Sequence, residues 1–332
     1  MKVNWVLWLL ILSVALCLVM LFSLSVGAAP ISFQKIINLF FQGPGTSDYS
    51  IVFDIRLPRI ILGFAIGGSL SLAGVILQGM FRNPLVEPYT LGISGGASLG
   101  VSLNIVLGFA AINRMSLPLS GFLGAMLVIG FLYLTSFRKG MVNLQGLLLN
   151  GVMVSFISSS LVMLLLSLTS SDSLQGIIFW IMGSLGESDT LLIKGMVIVS
   201  LLLLALSYLF CLHLNAFVLG EEEALHLGIP VERTKKILFL ISGILVGFCV
   251  SVAGVIGFIG LVVPHFMRKV VGHDHRILLG SSFLAGSIFL ILCDTIARTV
   301  IAPLELPVGV ITGIVGGSIF VYTLTKGKMN HA

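Results

Sequence analysis

Arg56-Leu57-Pro58-Arg59 sets two guanidinium groups three positions apart at the head of a long apolar run. Guanidinium stays charged and forks bidentately onto carboxylates. The pair therefore reads either as snorkelling interface anchors or as a cationic docking patch for an acidic partner. Asp294 and Arg298 stand four apart inside another apolar stretch. An i,i+4 pair shares one helix face, and an ionisable residue at membrane depth is a functional candidate by default. A structural Asp294–Arg298 bridge is the simpler account of Asp294, while Arg298, near the end of its span, is free to join Arg56 and Arg59. Leu219, Gly220, Glu221, Glu222, Glu223, Ala224, Leu225, His226, Leu227 and Gly228 form a third group. Three acidic residues suit the first turn of a short helix and the glycine suits its end. Ala224, Leu225 and Leu227 then offer a small apolar surface to a partner.

Other chemistry is thin. His273-Asp274-His275 is a weak metal pattern in a basic loop, and no metal site is expected from it. Cys17, Cys211, Cys249 and Cys293 all lie in apolar stretches with no C-x-x-C, so they read as small core residues. No G-x-x-x-x-G-K-[ST] or H-E-x-x-H occurs. No cofactor is expected, the chain is not expected to be an enzyme, and ATP hydrolysis would fall to another subunit.

The elements that must position these residues are membrane helices. Of 332 residues, 57% are hydrophobic and 9% charged, against roughly a quarter charged in soluble domains. Mean hydropathy is +1.15. The 38 glycines suit closely packed membrane helices. The net charge of +5 comes without interleaved aromatics, which argues against nucleic acid. A span takes roughly 20 apolar residues. Candidates lie near 5–28, 56–80, 89–110, 116–136, 144–168, 191–212, 277–300 and 306–325. The first is read as a retained span rather than a signal peptide, despite Lys2 and the small residues Gly27-Ala28-Ala29. Basic loops at Arg138-Lys139, Arg233 to Lys236, Arg268 to Arg276 and Lys326 to Lys328 go to the cytoplasm, and the acidic 169–190 loop goes outside. The run 237–263 is flanked by basic loops on both sides, so it needs an even number of crossings. At about 1.5 Å per residue it is too short for two full helices. A full helix followed by a short one near 259–271 resolves the parity and gives ten spans with both termini cytoplasmic.

A shift of 180 positions aligns Gly63 with Gly243, Gly67 with Gly247, and Ser71, Ala73, Gly74, Val75 and Ile76 with Ser251, Ala253, Gly254, Val255 and Ile256. Pro84 meets Pro264. The copies start five spans apart, so the repeat is inverted, as in transporters that alternate access. The fold class is an all-α polytopic membrane protein, one permease domain over 1–332, with halves near 56–168 and 236–325 and cytoplasmic coupling helices near 215–232.

R-L-P-R, A-G-V-I-L-Q-G, R-N-P-L-x-E-P-x-x-L-G-I-S-x-G-A, L-G-E-E-E-A-x-x-L-G, G-F-I-G-L-V-V-P-H-F-M-R, D-T-I-A-R and E-L-P-V-G-V-I-T occur in order over about 50–325. The sequence resembles the FecCD family of ATP-binding-cassette importer permeases, the inner-membrane subunits for iron–siderophore, haem and cobalamin uptake. The resemblance implies a ten-span homodimer in the bacterial inner membrane. It also implies two cytoplasmic ATPases, an extracytoplasmic substrate-binding protein and a pathway along the dimer axis. It assigns 219–228 to ATPase coupling, and Arg56, Arg59 and Arg298 to the acidic residues of the binding protein. An iron–siderophore complex, the family's broadest substrate class, is the expected substrate, with haem and cobalamin as the alternatives. The rival reading is an ion-coupled secondary transporter using Asp294.

Overall fold

The computed structural model describes residues 4–329 apart from 28, 30, 44, 114, 139 and 140. Lys2, Ala28 and Lys139, used above for topology, lie outside the described residues. The chain begins with α1 (Trp5–Ser25), α2 (Phe33–Gln42) and the one-turn α3 (Ser47–Ser50). A wide π-helical turn, Ile51–Arg56, leads into α4 (Leu57–Phe81). Next come α5 (Ile93–Val106), α6 (Phe109–Ile112) and α7 (Ser116–Ser136). A two-residue antiparallel pair, β1 (Phe137–Arg138) and β2 (Met141–Val142), precedes α8 (Leu144–Leu168). There follow α9 (Ser171–Met182), α10 (Thr190–Tyr208), α11 (Cys211–Leu219), α12 (Glu221–His226), α13 (Val231–Ala253), α14 (Ile259–Val271), α15 (His275–Thr299) and α16 (Val308–Met329).

Seven of the described helices are long and apolar enough to cross a membrane: α1, α4 with its lead-in, α7, α8, α10, α13 and α15. With α5, α14 and α16 they make the ten expected. At about 1.5 Å per residue, α5 and α14 reach only about 20 Å, short of a roughly 30 Å hydrocarbon core. Each is preceded by a break in the α-helical backbone, 82–92 before α5, with a single 3-10 turn at Pro88–Leu91, and 254–258 before α14. We call the end of the bundle that carries 219–228 the lower end. α4 descends to it and α13 rises from it, so the matched halves run in opposite directions and the repeat is inverted. Both α1 and α16 have their outer termini at the lower end.

Two expectations shift. The α-helix of the span near 89–110 begins only at Ile93, because Pro84 and Pro88 interrupt the α-helix and Pro88–Leu91 form a 3-10 turn ending at left-handed Gly92. The acidic 169–190 loop contains a helix, α9, too short to register as a span. The repeat also loses register at its break. α4 continues to Phe81, whereas α13 stops at Ala253 because Gly254 turns left-handed at φ 70 against the carbonyl of Trp180.

Irregular backbone at membrane depth survives only where its polar groups find partners. The amide of Gln78 donates to the carbonyls of Val86 (3.2 Å) and Gly260 (3.0 Å). Glu87 accepts the N–H of Phe258 at 2.6 Å, and the Tyr89 hydroxyl accepts that of Ile256 at 3.2 Å. The two helix breaks are thus tied to each other. Gly74 lies so close to the Gly260 carbonyl that any Cβ there would collide with it.

Candidate functional sites at the two ends of the bundle

At the upper end the sequence-predicted arginines converge. Arg59 on α4 donates through Nη2 and Nε to Asp294 Oδ1 (2.9 and 3.3 Å) and through Nη1 to Glu305 Oε2 (2.6 Å). Arg298 Nε donates to Asp294 Oδ2 at 2.9 Å, the expected i,i+4 bridge, and its Nη2 reaches Ser23 Oγ at 2.8 Å. Among the described residues Arg56 has no carboxylate partner. Its guanidinium donates to the carbonyls of Leu24 and Ala29. Arg56, Arg59, Arg298 and Asp294 are all buried, whereas the Glu305 side chain is 53% exposed.

Three guanidinium groups therefore meet two carboxylates. Unpaired charge is costly away from water, so Asp294 is what allows two of the arginines to be buried together. The cluster thus carries one more guanidinium than carboxylate, and Glu305 is the member that faces solvent. Sequence reading missed Glu305 and Ser23. Glu305 heads the E-L-P segment but is 246 positions from Arg59, a separation that no local spacing reveals.

At the lower end α12 starts at Gly220, whose φ of 139 and ψ of 159 suit glycine alone. Its first turn is Glu221, Glu222 and Glu223, and Ala224 is its buried anchor. The ammonium of Lys235 on α13 sits 2.5 Å from Glu221 and 3.5 Å from Glu232, with its side chain 2% exposed. Gly228, at φ 79, ends the turn, and the Ile229 N–H returns to the Ala224 carbonyl at 3.0 Å. Leu219, Leu225 and Leu227 are left exposed beside the acidic turn. The segment is thus held rigidly from below Ala224 and presents leucines and carboxylates outward.

In His273-Asp274-His275 the aspartate is committed to neighbouring groups. Asp274 caps α15 through the Arg276 N–H and binds the Arg276 guanidinium and the Asn215 amide. The Arg276 hydrogen bond, chiefly, holds its carboxyl well below the usual range. No cluster of three or more metal-ligating side chains occurs among the described residues.

The model of the FecCD transport family matches residues 15–326. The chain belongs to the FecCD transport family. As a FecCD member it is a transmembrane permease of an ATP-binding-cassette importer, a transport subunit rather than an enzyme. It is 40% identical over 324 residues to the hemin transport system permease protein HmuU of Yersinia pestis, covering 96% of this chain and 95% of that one. It is 35% identical over 323 residues to the vitamin B12 import system permease protein BtuC of Shigella boydii serotype 18, covering 97% and 95%. A solved metal-chelate type ABC transporter in an inward-facing conformation superposes with a TM-score of 0.85 at 30% identity, over 97% of this chain and 100% of that one. The PsaBC structure from Streptococcus pneumoniae shares the fold, with a TM-score of 0.57 at 16% identity.

Proposed function

We propose that this permease imports a metal chelate by alternating access, with a binding protein docking at the upper end and ATPases at the lower. The upper end then faces away from the cytoplasm and both termini face into it. Charge supports that orientation: Arg82, Arg233, Lys236, Lys269 and Arg276 lie at the lower end, and Asp172, Glu187 and Asp189 at the other. The observation that carries the reading is the surplus of guanidinium over carboxylate around Arg56, Arg59 and Arg298. The binding protein supplies acidic residues to that cluster. The ATPase receives Leu219, Gly220, Glu221, Glu222, Glu223, Ala224, Leu225, Leu227 and Gly228 in a groove.

Two copies of the chain enclose the pathway, each with one ATPase. The exposed apolar faces of α8 and α16, including Phe156, Leu164, Ile314 and Tyr322, suit a second copy. The whole chain acts as one permease domain, and the inverted halves, near 56–168 and 236–325, rock about the linked breaks. The substrate is a metal chelate. Relatives named for hemin and vitamin B12 make those two chelates test ligands beside a ferric siderophore. Asp294 as an ion-coupling site is disfavoured because both its oxygens are taken by arginines.

The test is ATPase activity of the permease with its cognate ATPase in lipid discs, challenged with the binding protein loaded in turn with haem, cobalamin and ferric siderophore. Stimulation by one loaded form supports the reading and identifies the chelate. Uptake driven by an ion gradient without any ATPase would overturn it.

A further inference from the structure

A cavity of about 260 Å³ opens at the lower end, between the last turns of α4 and α14, the first turn of α15 and the end of α11. Its polar lining is Gln78, Arg82, Asn83, Arg268, His273 and His275, with no carboxylate among them. Arg268 donates to the neutral amide oxygen of Gln78 at 2.5 Å. Arg82 occupies the left-handed region at φ 50, rare for a residue with a side chain. Among the described residues neither arginine forms an ion pair. Asp274 is bound to Arg276 and Asn215. Glu223 and Arg82 Nη1 both lie beside Gly220, without an ion pair between them.

His275 defines what this cavity takes. Its side chain is 2% exposed. Asn215 Oδ1 accepts the backbone N–H of His275 at 2.8 Å, so that atom is an acceptor, and Nδ1 lies 2.8 Å from it. Nδ1 therefore carries the hydrogen, and in the neutral ring Nε2 carries a lone pair. Nε2 has no hydrogen-bond partner. A Cβ at position 79 would stand 2.9 Å from it, so glycine is what keeps a side chain off Nε2. A ligand must thus donate one hydrogen to Nε2 while presenting negative oxygens to Arg82 and Arg268.

We infer that this cavity binds a phosphate group that retains a proton, as in hydrogen phosphate, a phosphomonoester or a phosphatidic acid headgroup. Two charged oxygens accept from the arginines, and the remaining hydroxyl donates to His275 Nε2. Sulfate has no hydroxyl near neutral pH and meets the lone pair instead, so the site prefers phosphate. Binding would tie Arg82, beside Gly220, to α14 and α15, directly behind the start of α12. The inference stands on the cavity alone and does not depend on the proposed partners or substrate.

The experiment is equilibrium binding of radiolabelled inorganic phosphate to the full-length permease in phosphatidylcholine discs, near neutral pH and at constant ionic strength. Saturable binding is expected, with sulfate competing about tenfold or more weakly. Arg82→Gln alters an exposed side chain and should weaken phosphate by about tenfold or more, one charge-assisted hydrogen bond. His275→Gln should erase the preference for phosphate over sulfate. Discs containing phosphatidic acid identify the source. Loss of free-phosphate binding there assigns the cavity to the headgroup, and unchanged binding assigns it to a soluble phosphate. No saturable binding by the wild type, or binding indifferent to Arg82→Gln, would overturn the inference.

Discussion

Arg59 on α4 reaches Asp294 on α15, 235 positions away in sequence, with Nη2 2.9 Å from Oδ1. The second oxygen of the same carboxylate is held by Arg298. One buried aspartate therefore fastens the central helix to α15 and makes room for two like charges.

Asp294→Ala should destabilise the permease by about 3–5 kcal/mol, the cost of stranding buried charge. Unfolding in mixed micelles measures it. Arg298→Met paired with Asp294→Leu should recover part of the loss. A mild effect of Asp294→Ala alone would mean that water reaches the site.

Glu305 holds the Arg59 donor that an incoming carboxylate would use. Glu305→Gln should tighten docking of the binding protein, most visibly at low salt, where charge is least screened. Arg59→Glu should weaken it. Surface-immobilised binding protein gives both affinities, and a Glu305→Gln variant that binds more weakly would show that Glu305 itself contacts the partner.

Gly74 meets the Gly260 carbonyl where α4 crosses α14. Gly74→Ala should force the helices apart and cost about 1–3 kcal/mol, the range for overpacking. The loss should appear as a lowered unfolding midpoint. Gly130, which faces open space, should accept alanine without such a change.

The cap of α15 is expected to outlast mild acid. The Asp274 carboxyl titrates below its unfolded value near 3.9, so its contribution is complete above that pH and fades as pH falls through the lower folded value. The stability gap between wild type and Asp274→Ala should stay constant from neutral pH to about 4 and narrow only below it. A gap that closes between neutral pH and 5 would contradict the hydrogen bonding described for Asp274.

Ten membrane helices could be read from hydropathy and charge parity, and the short helix after the 254–258 break lies where parity demanded it. The Asp294–Arg298 bridge followed from spacing. Arg59–Asp294 and Arg59–Glu305 did not, because they join residues more than two hundred positions apart. Nor did the ascent of 82–92 into the bundle. Pro84 and Pro88 announce that helix stops, but only the partners offered by Gln78, Phe258 and Ile256 determine where irregular backbone can be buried. α9 was hidden because its 12 residues are short beside a full span.

We propose that α12 converts ATPase motion into transport. The Leu225 and Leu227 side chains are 58% and 64% exposed. Replacing both with aspartate should leave folding and membrane insertion intact. The decisive measurement is chelate uptake per ATP hydrolysed, in proteoliposomes holding the permease with its ATPase and loaded binding protein. The account predicts near-total loss of uptake in the Leu225→Asp, Leu227→Asp variant, with an unchanged unfolding midpoint. Uptake at the wild-type ratio would contradict it.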